Sequence, residues 1–164
     1  MPSLADKAFA KLQKLNSNAT TLGENTLSNV TEWIDTGCLV LNSILSGSIY
    51  GGVPKGRITI FAGDSGCGKT FILNKILANA QRKGMIPVIF DTEIAVENEG
   101  AENVGLDTSN VKYVPVDTVE NCRNQIMTFL DEVEKEPELH GKFIISIDSL
   151  GNLASEKEIN DAGA

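Results

Sequence analysis

The stretch Arg57-Ile-Thr-Ile-Phe-Ala-Gly-Asp-Ser-Gly-Cys-Gly-Lys-Thr-Phe-Ile-Leu-Asn-Lys-Ile-Leu-Ala-Asn-Ala80 decides the fold. Its centre, Gly63, Asp64, Ser65, Gly66, Cys67, Gly68, Lys69 and Thr70, fills the pattern G-x-x-x-x-G-K-[ST] without a mismatch. The run before it, Arg57–Ala62, is β-branched and apolar and predicts a buried strand. The run after it, Phe71–Ala80, carries apolar residues at helical spacing. Strand, glycine-rich turn and helix together read as a phosphate loop. The glycines let the backbone curl so that successive N–H groups converge on phosphate oxygens, and the helix adds the positive end of its dipole. Lys69 is expected to neutralise the β- and γ-phosphates, and the Thr70 hydroxyl to hold Mg²⁺.

Moving outward, residues 4–15 place Leu4, Ala8, Leu12 and Leu15 on one helical face. An Asn-, Thr- and Ser-rich stretch, 16–29, reads as a linker. Val30–Asp35 is extended, Leu39–Leu45 is helical, and Ser46-Gly47-Ser48 stops that helix. Gly51, Gly52 and Pro54 form a loop before the phosphate-loop strand. Further strands are expected at Met85–Phe90, Val111–Val116 and Lys142–Asp148, with an amphipathic helix at Thr118–Glu134. Near-continuous apolar strands alternating with helices specify an α/β fold, a mostly parallel sheet with helices on both faces.

The bulk composition fits this class. The 164 residues are 41% hydrophobic and 22% charged, and no apolar run approaches the ~18 residues of a membrane span. Cys38, Cys67 and Cys122 lack metal-ligand spacing and read as reduced thiols of a cytoplasmic protein. Net charge is −8 but uneven: residues 1–90 carry nine Lys/Arg against five Asp/Glu, and the remainder five against seventeen. So acidic a chain has no evident electrostatic footprint for nucleic acid. The run Asp131–Glu138 reads as a solvated helix end. Cys67 reads as a small filler within the loop, and His140 as a surface residue.

Three carboxylates stand where ligands bind in open α/β folds, at or just past the C-terminal ends of strands. Asp148 closes the run Phe143-Ile-Ile-Ser-Ile147 and is expected to anchor Mg²⁺ with Thr70. Hydrolysis also needs a group that orients and deprotonates the attacking water. Asp91 and Glu93, just past the second apolar strand, are the candidates, with Glu93 favoured for reach.

The run Ile34-Asp-Thr-Gly-Cys-Leu-Val-Leu-Asn-Ser-Ile-Leu-Ser-Gly47, then Gly51-Gly-Val-Pro-Lys-Gly-Arg-Ile58 and the phosphate loop, resembles the RecA-type strand-exchange recombinases. Ile147-Asp-Ser-Leu-Gly-Asn-Leu-Ala-Ser-Glu-Lys-Glu158 is especially similar to the UvsX-like members from large tailed bacteriophages. The resemblance covers about residues 30–161. It implies a RecA-like P-loop NTPase fold, ATP and Mg²⁺ as cofactors, DNA-dependent ATP hydrolysis, and a helical filament on single-stranded DNA. It places the catalytic glutamate at Glu93 and the Walker-B aspartate at Asp148. Glu97 falls near an acid facing the adenine, and the aromatic that commonly stacks on the base is replaced here by Gly100. Residues 1–29 resemble the helix and linker that pack on a neighbouring protomer, and 30–164 the N-terminal part of the ATPase core.

The same resemblance implies that the sheet is incomplete at the C-terminal side. The family's two DNA-binding loops, and the strand ending in a glutamine that senses γ-phosphate, follow the point where this sequence ends. That strand normally lies between the phosphate-loop strand and the Walker-B strand. A piece of a longer protein is therefore expected, binding ATP weakly and prone to self-association, with no membrane partner and, if phage-encoded, acting in the host cytoplasm. Competing readings are another RecA-fold ATPase, such as a helicase-like motor, and a non-catalytic fragment that caps filaments. A small-molecule kinase fits poorly, because its phosphate loop usually lies near the N-terminus and is followed by basic lid residues.

Overall fold

The computed structural model describes residues 3–26, 28–94 and 98–162. Its backbone contacts divide the chain into residues 1–31 and residues 32–164.

The first unit carries α1, Leu4–Leu15. Its start is fixed by a capping box in which Ser3 Oγ accepts the Asp6 N–H and the Asp6 carboxylate accepts the Ser3 N–H at 2.7 Å. Leu4, Leu12 and Leu15 are exposed, and no residue of α1 is buried.

The second unit begins with two short strands, β1 (Trp33–Ile34) and β2 (Val53–Pro54), paired antiparallel with Ile34 opposite Val53. The expected extended segment at 30–35 thus shrinks to two residues, and part of the expected loop at 51–54 becomes its partner. Gly52 permits the approach: a Cβ there would lie 2.0 Å from the Ile34 carbonyl oxygen. Between these strands runs α2, Leu39–Ser46, closed by Gly47 in the left-handed conformation.

The main sheet is parallel and ordered β4-β3-β5, with β3 at Ile86–Asp91, β4 at Lys112–Pro115 and β5 at Phe143–Asp148. Alternation along β3 serves two layers. Ile89 packs with Leu77 and Ala78 of α3 (Lys69–Arg82), Ala101 of α4 (Asn98–Asn103), and Leu106. Val88 and Phe90 face the other way, toward Cys122, Ile126 and Phe129 of α5 (Val119–Lys135). On that side Phe129 meets Phe143 edge-on, with ring centroids 4.9 Å apart. Helices on both faces of a parallel sheet are what the strand composition implies. A last helix, α6 (Glu156–Ala162), and the short α4 carry no strong apolar periodicity and are not apparent from the sequence pattern.

One expectation fails. Residues 57–62 belong to neither sheet, and Ile58 and Ile60 are 93% and 72% exposed. Only Phe61 of this run's large apolar residues packs inward, against the cluster of Ile34, Val53, Ile76, Ala80 and Met85. A strand exists through its neighbour's backbone, and β-propensity alone cannot supply one. Among the described residues β5 has a partner on one side only, β3.

Candidate phosphate and metal site

The phosphate loop leaves 57–62 and winds into α3. Gly66 and Gly68 adopt positive φ, 75° and 89°, a conformation that side-chain-bearing residues rarely hold. Gly68 caps α3 with no side-chain hydrogen bond, so the N–H groups of the first turn are not bound by a cap side chain. Lys69 folds back over the loop, its Nζ donating to the carbonyls of Gly63 and Asp64, each at 2.9 Å. Asp64, Ser65 and Cys67 line the same exposed turn. Cys67 Sγ stands so close to Gly63 that a Cβ at that glycine would meet it at 2.9 Å.

The next residue, Thr70, donates its hydroxyl to Asp148 Oδ2 at 2.8 Å. Residues 78 positions apart in the sequence are thereby joined across the C-terminal edge of the sheet. A hydroxyl and a carboxylate are hard oxygen donors of the kind Mg²⁺ takes, one or two from protein and the rest from phosphate and water. Among the described residues no cluster of three or more His, Cys, Asp or Glu side chains could form a cage for a metal. The Thr70 and Asp148 oxygens would fit a metal whose remaining ligands come from phosphate and water.

Parallel register sets Asp91 directly beside Asp148. The two candidate bases then separate by environment. Asp91 is 1% exposed; its Oδ1 accepts the N–H groups of Glu93 and Ile94 at 2.9 and 3.0 Å, and its Oδ2 the Tyr113 hydroxyl at 2.9 Å. Burial, then the Asp91 carboxylate, push the Tyr113 hydroxyl above its ordinary pKa. Glu93 is exposed, and its Oε1 accepts from Ser149 Oγ at 2.9 Å and Asn152 Nδ2 at 2.7 Å. Asp91 shapes the turn, while Glu93 faces solvent at the sheet edge.

Sequence reasoning missed the clasp joining these strand ends. The Thr92 N–H donates to the Asp148 carbonyl at 2.9 Å. Thr92 Oγ1 donates to the Ser149 carbonyl at 2.8 Å and lies 3.0 Å from the Ser149 N–H as its acceptor. The available signal was polar residues immediately after each apolar strand, Thr92 after Asp91 and Ser149 after Asp148. Glu97 lies outside the described residues. Gly100 is an exposed position of α4 where a Cβ would meet nothing within 4 Å among the described residues.

The RecA N-terminal domain family matches residues 4–163. This chain belongs to that family. "Protein RecA" of Clostridium botulinum (strain Eklund 17B / Type B) is 43% identical over 99 residues, 60% of this chain and 27% of that protein. "Protein RecA" of Bifidobacterium breve is 33% identical over 156 residues, covering 94% of this chain and 37% of its own length. The "Recombination and repair protein" of Enterobacteria phage T4 is 31% identical over 136 residues, 82% of this chain and 34% of the phage protein. The chain thus spans about a third of the RecA relatives it matches. No helix among the described residues of this RecA-family chain is long and apolar enough to cross a membrane.

Proposed function

We propose that this chain is the ATP-binding, N-terminal part of a DNA-dependent ATPase, a homologous-recombination strand-exchange protein that assembles on single-stranded DNA in the cytoplasm. The observation that carries this reading is the 2.8 Å contact between Thr70 and Asp148, which brings the end of the phosphate loop to the acid closing β5. In this reading the loop N–H groups and the start of α3 receive the phosphates. The Lys69 ammonium exchanges the Gly63 and Asp64 carbonyls for β- and γ-phosphate oxygens. Thr70 and Asp148 would hold Mg²⁺, which neutralises charge on those oxygens when bound. Glu93 orients the attacking water and takes its proton, while buried Asp91 holds the turn from which Glu93 projects. Adenine recognition is assigned to the region of Glu97, and protomer contacts to the apolar face of α1.

The test is ATP hydrolysis with and without single-stranded DNA by wild type, Lys69→Ala and Glu93→Gln, with nucleotide affinity measured separately. Lys69→Ala is expected to lose nucleotide binding. Glu93→Gln is expected to keep it while turnover falls by roughly 10²–10⁴-fold, the span of a removed general base. Wild-type affinity and turnover in both variants would reject the assigned roles.

A further inference from the structure

We infer that Asn152 is a positioning residue for hydrolysis, one that together with Ser149 aims the Glu93 carboxylate over the end of β5. This rests on the reading of Glu93 as the base. Glu93 is exposed, and a free glutamate there would sample many rotamers, each ordering step costing entropy. Instead Oε1 takes two donors, Ser149 Oγ at 2.9 Å and Asn152 Nδ2 at 2.7 Å. In this reading Oε2 is the oxygen offered to the attacking water.

Both donors belong to the segment that follows the metal acid. Ser149 is the residue after Asp148, and Asn152 closes the single 3₁₀ turn Leu150–Asn152. The clasp through the Thr92 N–H and hydroxyl fixes that segment to β3, so the base and the metal acid ride on one set of hydrogen bonds. Small errors in such a geometry are costly to a displacement at phosphorus. Both reach Glu93 through a side chain, but Ser149 also belongs to the Thr92 clasp through its backbone, so Asn152 is the member whose side chain can be replaced with the clasp left intact.

The experiment compares wild type, Asn152→Ala, the isosteric Asn152→Asp, Glu93→Gln and the double variant Glu93→Gln/Asn152→Ala, in single-turnover ATP hydrolysis on the full chain. A ¹⁵N spectrum of the Asn152 side-chain amide in wild type and Glu93→Ala accompanies it. The amide signal is expected to move and to exchange faster with water when Glu93 is removed. Asn152→Ala is expected to slow hydrolysis about tenfold with KM within twofold, the worth of one charge-assisted bond at a solvated site. Asn152→Asp, which faces the base with like charge, is expected to slow it more. In the Glu93→Gln background Asn152→Ala should add nothing. An unmoved amide signal, wild-type rates in Asn152→Asp, or full additivity of the two substitutions overturns the proposal. Wild-type turnover in Glu93→Gln instead removes the assignment of the base itself, and is read independently of the amide signal.

Discussion

Asn42 uses its whole hydrogen-bonding capacity inside the protein, and its removal gives the sharpest test of the second unit's construction. At 1% exposure, its Oδ1 accepts from the Thr36 N–H at 3.0 Å and the Thr36 hydroxyl at 2.7 Å. Its Nδ2 donates to Asp35 Oδ1 at 2.7 Å and to the Ile49 carbonyl at 3.1 Å. One side chain therefore ties the turn after β1, α2 and the loop toward β2. Asn42→Ala strands the Thr36 N–H, which is buried, and strips a donor from the Ile49 carbonyl. A buried orphan costs about 1–3 kcal/mol; with the Thr36 hydroxyl proton free to turn to the Cys38 carbonyl 3.1 Å away and the Ile49 carbonyl only part-buried, the loss should total about 3 kcal/mol. For a chain of this size that lowers Tm by roughly 6–12 °C. Urea unfolding of wild type and variant at neutral pH measures it, with the slope m unchanged.

The same contact sets an acid dependence. The Asn42 donor first, and the Gly37 N–H second, hold the Asp35 carboxyl below its usual 3.8. A depressed folded pKa contributes stability that is full above the unfolded value and is lost as pH falls through the folded one. The gap between wild type and Asn42→Ala should therefore narrow once pH drops below 3.8. A destabilisation under about 0.5 kcal/mol, or a gap that widens in acid, would refute the reasoning.

Other outcomes are as definite. Thr70→Val, which keeps shape but removes the hydroxyl held by Asp148, should raise the Mg²⁺ concentration needed for half-maximal ATP binding about tenfold or more, read by titrating the metal at fixed nucleotide. Gly52→Ala should destabilise by at least about 2 kcal/mol in urea melts, because its Cβ meets the Ile34 carbonyl and φ is +140°. Tyr113→Phe should cost about 1 kcal/mol in the same assay, since it removes a donor to buried Asp91 from a half-exposed ring. Alkylation of exposed Cys67 should slow severalfold with ATP and Mg²⁺ bound, whereas buried Cys122 should stay inert in both conditions, read by mass spectrometry.

Much of this architecture is legible residue by residue. The phosphate loop is a local motif whose glycines dictate backbone conformation, and β3 and β5 are written in unbroken apolar runs. Asp148 ends such a run, so its arrival beside Thr70 follows from topology. The short pairing of Trp33–Ile34 with Val53–Pro54 carries too few residues for periodicity, and α4 is built from Asn, Glu and Gly at Asn98–Asn103. The Arg57–Ala62 run shows the converse: ideal strand composition without the neighbour that makes a strand. The clasp of Thr92, Ser149 and Asn152 depends on a register between distant segments, which no local pattern encodes. Only once Asp91 lies opposite Asp148 do those polar residues come within bonding range.

Among the described residues the side of β5 away from β3 carries no partner strand. Phe143-Ile-Ile-Ser-Ile147 contains neither charge nor proline, and an unpaired main-chain edge on such a segment is a template for cross-β stacking. Lys142 and Asp148 flank it as charged gatekeepers, one at each end. Asp148 is also the acid proposed to grip magnesium, so neutralising that single carboxylate would weaken metal capture and remove one barrier to fibril growth together.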